Sequence, residues 1–466
     1  MSAWPNYPAI TPQRWWDSRL PRAALLLAGL TCILLIQGAA LAHSYLWAAP
    51  LLCLLALVLA TEIPLVPTLG AALVVRVLTS QAVSSPRARY SQSLNLSGLI
   101  AVFLIILALG LLLHRRRATP SSLAAALFLC VWTVVAVRTH GESNLTFREG
   151  VREASIIAIP VIVMNARGAL SVALAARIVQ AAGFLPAFVA IYQFATNTGL
   201  NVGGNIRADG TFTHPNGAAM YFAIAVTASV WRFLDSGRRR SDALLAALFA
   251  VATITTFSVG GLASLLAMLL TFGFLRPGSM RLKLGSFGLA ALVIVAFVAT
   301  PVGAKRIETE SATSIHSAET RGTANTSLAW RFYKWRTLIP EWEQAPILGR
   351  GLGTTVTAEG TSQNVTAGNV PHNEYVRYLV ETGAAGLAIV MIALATMIHR
   401  LMRRRRIPAT SNSAALGLAV VVGCMFNALG DNTLLYSTTG YAAALIIAAT
   451  LCATGAAARR TSAGIR

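Results

Sequence analysis

The chain has 466 residues, of which 55% are hydrophobic and only 12% charged, with Lys+Arg at 38 against Asp+Glu at 17. An ordinary soluble domain carries about 25% charged residues, so this composition excludes a water-soluble globular protein, and its apolar content excludes intrinsic disorder. The net charge of +21 does not point to nucleic acid, because the cations stand in short clusters between apolar runs, the pattern that orients membrane helices.

A helix needs about 20 apolar residues to cross a bilayer. Runs of that kind fall at 23–41, 46–64, 66–83, 95–113, 121–139, 150–165, 168–193, 215–233, 241–257, 259–275, 283–303, 376–398, 412–430 and 438–456. The expected fold is an all-α polytopic integral membrane protein of fourteen helices, or twelve if the poorly separated pairs 46–83 and 241–275 are each one span. Arg14, Arg19 and Arg22 precede the first run, which reads as a retained anchor rather than a cleaved signal. Even numbers of spans separate the clusters Arg115–Arg117, Arg238–Arg240, Arg276 with Arg281 and Lys283, Arg400 with Arg403–Arg406, and Arg459–Arg460. All are then cytoplasmic, as are both termini. The loop with Arg87 and Arg89 falls outside, against that rule.

Three regions follow: an N-terminal bundle over 1–303, an external loop over 304–375, and C-terminal helices with a cytoplasmic tail over 376–466. The external loop is 72 residues long, and loops of such length are usually functional. It holds Trp330, Trp335 and Trp342, and 328–344 is expected to form an amphipathic helix. The five cysteines, Cys32, Cys53, Cys130, Cys424 and Cys452, lie in apolar runs and behave as small hydrophobes.

The external face gathers polar residues from distant segments. Arg148 and Arg152 have i, i+4 spacing, which on a helix places both on one side. Arg207 opens Arg-Ala-Asp-Gly-Thr-Phe-Thr-His-Pro-Asn216, Arg331 and Lys334 lie in Trp-Arg-Phe-Tyr-Lys-Trp335, and Pro346–Gly353 is glycine-rich. The guanidinium fork matches phosphate oxygens, so converging arginines read as a diphosphate clamp. A single interfacial arginine also snorkels or caps a helix, and it is their number that favours the clamp. Among the seven histidines, His372 follows a proline at the end of the long loop, and imidazole is the usual general base. It could equally be a structural residue at a helix start. No metal and no other cofactor is expected, since no Asp-x-Asp pair and no zinc-type His/Cys spacing occurs.

The stretches Arg-x-x-Gly-Thr-Phe-x-x-Pro-Asn over 207–216, Phe257-Ser-Val-Gly-Gly261, Trp-Arg-x-x-x-Trp over 330–335, Pro-x-x-Gly-x-Gly-x-Gly over 346–353, Pro371-His-Asn-Glu-Tyr375 and Glu381-Thr-Gly-Ala-Ala-Gly386 resemble, in that order, the O-antigen ligase and polymerase superfamily of bacterial envelope glycosyltransferases. The likeness covers roughly 140–450, and it departs at Ser258-Val259-Gly260, where relatives often have Ser-Arg-Gly. It implies a GT-C-like, metal-independent, inverting transfer from undecaprenyl diphosphate to an acceptor hydroxyl at the periplasmic face of a Gram-negative inner membrane. By the same resemblance His372 is the base and Arg207 and Arg331 bind the diphosphate. Arg152 and Arg148 are weaker members of the clamp, and Lys334, Tyr375 and His214 are expected to support these residues. One long loop and a modest second one, over 194–214, favour ligation of O-antigen to the lipid A–core oligosaccharide over polymerisation. The alternative from another class is a transporter or flippase for lipid-linked glycans. It would need broken helices and polar groups at the bilayer midplane.

Overall fold

A computed structural model describes residues 64–80, 96–115, 128, 131–132, 134–135, 144–166, 169–202, 205–235, 239–278, 280–311, 327–357 and 371–453. The chain divides into two units. One comprises 1–64 and 106–117; the other comprises 65–105 and 118–466 and contains the polar motifs discussed below.

The helices are α1 Leu65–Leu78, α2 Leu96–Arg115, α3 Asn144–Asn165, α4 Val172–Thr196, α5 Pro215–Asp235, α6 Arg240–Thr255, α7 Val259–Leu275, α8 Met280–Val298, α9 Pro301–Ser311, α10 Ser327–Glu343, α11 Thr354–Thr357, α12 Glu374–Arg405, α13 Pro408–Gly430 and α14 Ser437–Cys452. A two-stranded antiparallel hairpin, β1 Leu200–Val202 and β2 Asn205–Arg207, links α4 to α5. The protein is an all-α polytopic membrane protein.

The expected spans from 66 onward coincide with helices, apart from 121–139, of which only residues 128, 131–132 and 134–135 are described. The spans 23–41 and 46–64, Arg14, Arg19, Arg22, Arg87 and Arg89 lie outside the described residues or at their edge, as does the tail with Arg459 and Arg460. By length and apolarity four described helices can cross a membrane: α4, α5, α12 and α13. A fifth forms if α8 and α9, bent by 91° at residues 299–300, count as one broken span. Helices α1, α7 and α14 are apolar but shorter. These numbers are of the described residues alone. Helix α7 does not continue from α6, because Ser258 caps it at a polar turn.

Helix α5 is the axis of the bundle, with every residue from Pro215 to Arg232 buried. Small residues let its neighbours approach closely. A Cβ on Gly261 of α7 would stand 2.2 Å from that of Ala219. The outward faces carry Leu244, Phe274, Leu292, Val295 and Ile392 exposed, which suits lipid rather than water.

The helix ends sort into two groups. At one end Arg276 Nε donates to Asn412 Oδ1 (3.1 Å), Asn412 Nδ2 to Asp235 Oδ1 (2.6 Å) and Arg405 Nε to the Leu275 carbonyl (2.8 Å). Arg276 and Arg405, from two of the basic clusters cited above, thus share an end with the carboxyl termini of α5, α7 and α12. At the other end lie the amino termini of α5, α7, α12 and α14, and there the loops carry the polar motifs.

The described parts of 304–375 are mostly helical. The expected amphipathic helix is present as α10. Trp335 Nε1 donates to the Pro371 carbonyl (2.7 Å) and anchors α10 beside the entry to α12. The glycine-rich stretch 346–353 is a strap over a break in α12 at Gly383, whose φ is +65°. Breaking a helix frees backbone groups that need partners away from water. The strap supplies them: the N–H groups of Arg350 and Gly351 donate to the carbonyls of Val380 and Glu381 (2.9 and 2.7 Å), and those of Ala384 and Ala385 to Pro346 and Ile347 (2.8 and 3.1 Å). A Cβ on Gly349 would lie 2.4 Å from the Gly383 nitrogen, so both positions require glycine. Trp132 Nε1 donates to both Leu348 and Thr382 carbonyls at 2.9 Å, closing the junction. Trp132→Phe keeps most of the packing and leaves these carbonyls without that donor. It is expected to destabilise the fold by about 1–3 kcal/mol, read as a lower Tm of the detergent-solubilised protein; an unchanged Tm would show that the tryptophan only fills space.

Candidate active site

The amino end of α12 is built residue by residue from Pro371-His-Asn-Glu-Tyr. Pro371 cannot continue a helix, and Asn373 caps α12, its side chain accepting from the N–H groups of Tyr375 and Val376 (3.0 and 3.1 Å). Asn373 Nδ2 also donates to the Leu429 carbonyl (3.1 Å), and Tyr375 OH donates to that of Met425 (3.0 Å). These bonds fasten α12 to the last turns of α13. His372 sits between them with φ +47°, a left-handed conformation that costs a non-glycine residue strain. The conformation turns the imidazole toward Asp431, the residue that ends α13, and His372 Nδ1 lies 2.8 Å from Asp431 Oδ1. The His372 side chain is 18% exposed and that of Asp431 3%.

Asp431 is held in place by others. The Asn432 N–H donates to its Oδ1 (2.8 Å), and Tyr436 OH approaches it at 3.4 Å. Burial alone would raise the Asp431 carboxyl, but the charge and hydrogen bond of His372, with His214 and Arg331, outweigh it and hold the group well below the usual carboxylate range. Tyr436 stacks on His214 with ring centroids 6.1 Å apart, and the His214 ring is 6.5 Å from that of His372.

Arg207 lies at the end of β2. Its Nε donates to the Thr256 carbonyl and its Nη2 to Asn216 Oδ1, both at 2.8 Å. Ser258 Oγ donates to the same Asn216 oxygen (2.9 Å), so one arginine joins the starts of α5 and α7. Gln193 positions the hairpin's exit, its Oε1 accepting from the N–H groups of Asp209 and Gly210 (3.0 and 2.7 Å). Burial, then the charge of Arg306, pushes Arg207 down to about 9, against the raising effect of Asp431 and Tyr436. It remains a cation at neutral pH. Arg331 acts on the charges of Arg207, His214, Asp431 and Tyr436, which places it among them. Its position on α10 explains this: it precedes Trp335 by one turn and shares the face that meets Pro371.

The structure thus brings Arg207, His214, Arg331 and His372 together. It places the other expected residues elsewhere. Arg152 forms an ion pair with Glu149 within its own helix α3. Both lie beside Arg377, which is fully buried and paired with Glu153 (2.8 Å), Glu381 (3.1 Å) and Glu374. Arg152 therefore belongs to an ionic junction of α3 with α12, not to the group around Arg207. The Arg148 backbone lies in α3, and its side chain is outside the described residues. Tyr375 is a strut to α13. Lys334 is buried on α10, and that burial lowers its pKa.

Residues given no role from sequence complete the group: Asp431, Tyr436, Asn216, Ser258 and Arg306. Asp431 is legible only as a charge at the end of an apolar run. Arg306 stands on α9, after the bend at residues 299–300; its charge acts on Arg207, and the helix carries no motif. Among the described residues no three His, Cys, Asp or Glu side chains gather in a way that could hold a metal ion.

This arrangement can do two things chemically. Arg207, Arg331, Arg306 and four helix amino termini provide positive potential for an anion. His372, with Nδ1 committed to Asp431, presents Nε2 to accept a proton.

Burial, reinforced by Arg207, His372 and Arg331 and partly opposed by Asp431, pushes His214 down to about 3. Its unfolded value is near 6.5, so the unfolded chain binds more protons in between. Stability contributed by neutral His214 is full above about 6.5 and is lost as pH falls toward 3. His214→Gln is expected to flatten the acid side of a Tm–pH profile across that window. An unchanged profile would show that His214 is protonated without cost.

No curated protein shows significant sequence similarity to the chain. Residues 244–391, which run from α6 through the strap and the His372 segment into α12, match the family model described as O-antigen ligase. The activity this supports is of O-antigen ligase or polymerase type, a glycosyltransferase-like enzyme acting on lipid-linked polysaccharide. That match spans the turn before α7, the Trp-Arg helix and the His–Asp pair's histidine, so over this part of its length the chain is similar to the O-antigen ligase family.

Proposed function

We propose that the protein transfers O-antigen polysaccharide from undecaprenyl diphosphate to the lipid A–core oligosaccharide, at the periplasmic face of the inner membrane, without a metal. The observation that carries this reading is the His372–Asp431 pair, 2.8 Å apart, set among arginines. The donor's diphosphate lies against Arg207 and Arg331, with Arg306 as a third cation. An acceptor hydroxyl hydrogen-bonds to His372 Nε2. As its oxygen bonds to the anomeric carbon, the proton passes to Nε2 and the bond from that carbon to the diphosphate oxygen breaks. Undecaprenyl diphosphate leaves with the bonding electrons, and the arginines hold the developing charge. Asp431 stabilises the imidazolium and fixes its tautomer, as the carboxylate does in a Ser-His-Asp triad. Attack opposite the leaving group inverts the anomeric centre, and a product with the donor's configuration would refute that geometry.

Ligation is preferred to polymerisation because, among the described residues, one external stretch is long, with α9, α10 and the strap, and the other is a short hairpin over 200–207. The test is expression in a strain lacking its own ligase. Restoration of the full-length lipopolysaccharide ladder by the wild type supports ligation. Bare core together with longer unligated chains would instead identify a polymerase.

A further inference from the structure

The arginines occupy one side of the site. The turn before α7 shows a second group of donors. Of the four N–H groups that start a helix without helical partners, two are satisfied here: Ser258 donates to Thr256 Oγ1 (3.2 Å) and Gly261 to Ser258 Oγ (3.2 Å). Among the described residues the other two, those of Val259 and Gly260, have no partner, and both residues are only half-buried although Ser258 and Gly261 on either side are buried. The space in front of Gly260 is open. A Cβ built there meets a single neighbour, Asn427 Nδ2 of α13, at 3.9 Å. That amide is buried, 2% of the residue being exposed, and its nitrogen has no hydrogen-bond partner. Its orientation is set by Oδ1, which accepts from Thr433 Oγ1 (2.9 Å) and so turns the NH₂ toward α7. A buried amide nitrogen without a partner is costly, and in native proteins such groups usually mark an unfilled role.

Three donors of one polarity, an amide NH₂ and two backbone N–H groups on a helix dipole, thus come together at this turn. We propose that the gap in front of Gly260 is an oxyanion subsite that takes a phosphate of the lipid diphosphate, the arginines holding the rest of the headgroup. The inference rests on the functional reading above. It lies within reach of both halves of the site. The Asn427 carbonyl accepts from the Asp431 N–H (2.8 Å), one turn from His372's partner. On the other side the turn at 256–258 carries Arg207. The subsite donates hydrogen bonds without adding another buried charge beside Arg207, Arg306 and Arg331, which already repel one another.

Gly260→Ala tests it. A helical Cβ leans toward the amino end, so the methyl covers the two free N–H groups, yet it meets nothing closer than 3.9 Å and the fold should tolerate it. Asn427→Asp keeps the shape and the bond from Thr433 but places an acceptor where the donor faces the anion. Both variants are made in the full chain and titrated in detergent with undecaprenyl diphosphate, bearing no glycan, and Arg331→Ala serves as the reference. The expected result is wild-type Tm without ligand for Gly260→Ala, and affinity at least about fivefold weaker for both variants, the loss expected of one charge-assisted hydrogen bond. Wild-type affinity in both variants, with Arg331→Ala impaired, would overturn the subsite and leave the arginine clamp standing. Absence of binding by the wild type would overturn the functional reading itself. Displacement by phosphatidylglycerol from the wild type but not from Gly260→Ala would assign the gap to a phospholipid phosphate, and the assignment to substrate would fall.

Discussion

His372→Ala is expected to lower transfer by about 10²–10⁴-fold, the range a positioned general base contributes, while undecaprenyl diphosphate binds nearly as in the wild type. The imidazole meets the acceptor's proton, which moves only as the glycosidic bond forms, so its loss falls on kcat rather than on donor affinity. Asp431→Asn is the sharper test of the pair. The amide is the same size and still meets the Asn432 N–H, but it carries no charge to balance an imidazolium. Through its NH₂ it can also force the proton from Nδ1 to Nε2, where the base must be free. The expected loss is of the same order as for His372→Ala, and the double variant is expected to be no worse than either single one, because the two act as a unit. Single-turnover transfer from a purified lipid-linked donor measures both. Additive losses would show that Asp431 acts independently of His372.

Arg331→Ala is expected to reduce kcat/KM by about 10²–10³-fold, as for removal of one donor aimed at developing charge, and to weaken binding of undecaprenyl diphosphate as well. The phosphate contact exists before and during bond cleavage, so KM and kcat both suffer. Arg331→Lys keeps the charge without the planar fork and is expected to recover binding more than rate. Arg207 is a less clean probe, since its bonds to Thr256 and Asn216 also join α5 to α7. Its replacement mixes a lost cation with a loosened bundle. A loss below tenfold for Arg331→Ala, with the protein at normal membrane level, would move the clamp to Arg207 and Arg306.

Much of this molecule is legible without coordinates. Apolar runs on the scale of the bilayer give helices α1–α8 and α12–α14 in outline, because every backbone group in lipid must be bonded within its own segment. The amphipathic pattern gives α10, and Pro-His-Asn-Glu-Tyr marks the entry to α12, since proline and a capping asparagine speak through local geometry alone. Arg207, Arg331 and His372 are visible as cations in an apolar chain.

What the chain order hides is partnership. Nothing local joins His372 to Asp431, 59 residues on, or Arg207 to the turn at Thr256–Ser258. Nothing in i, i+4 spacing reveals that Arg152 faces Glu149 and the Arg377 junction rather than the diphosphate side. The strap over Gly383 reads in sequence as an isolated turn, because the carbonyls it satisfies lie in another helix. Composition and periodicity determine which segments are helices and which residues are chemically capable. Only the packing that brings the amino termini of α5, α7, α12 and α14 to one end decides which of those residues meet, because hydrogen bonds and charges act over a few ångströms of space, whatever the separation along the chain.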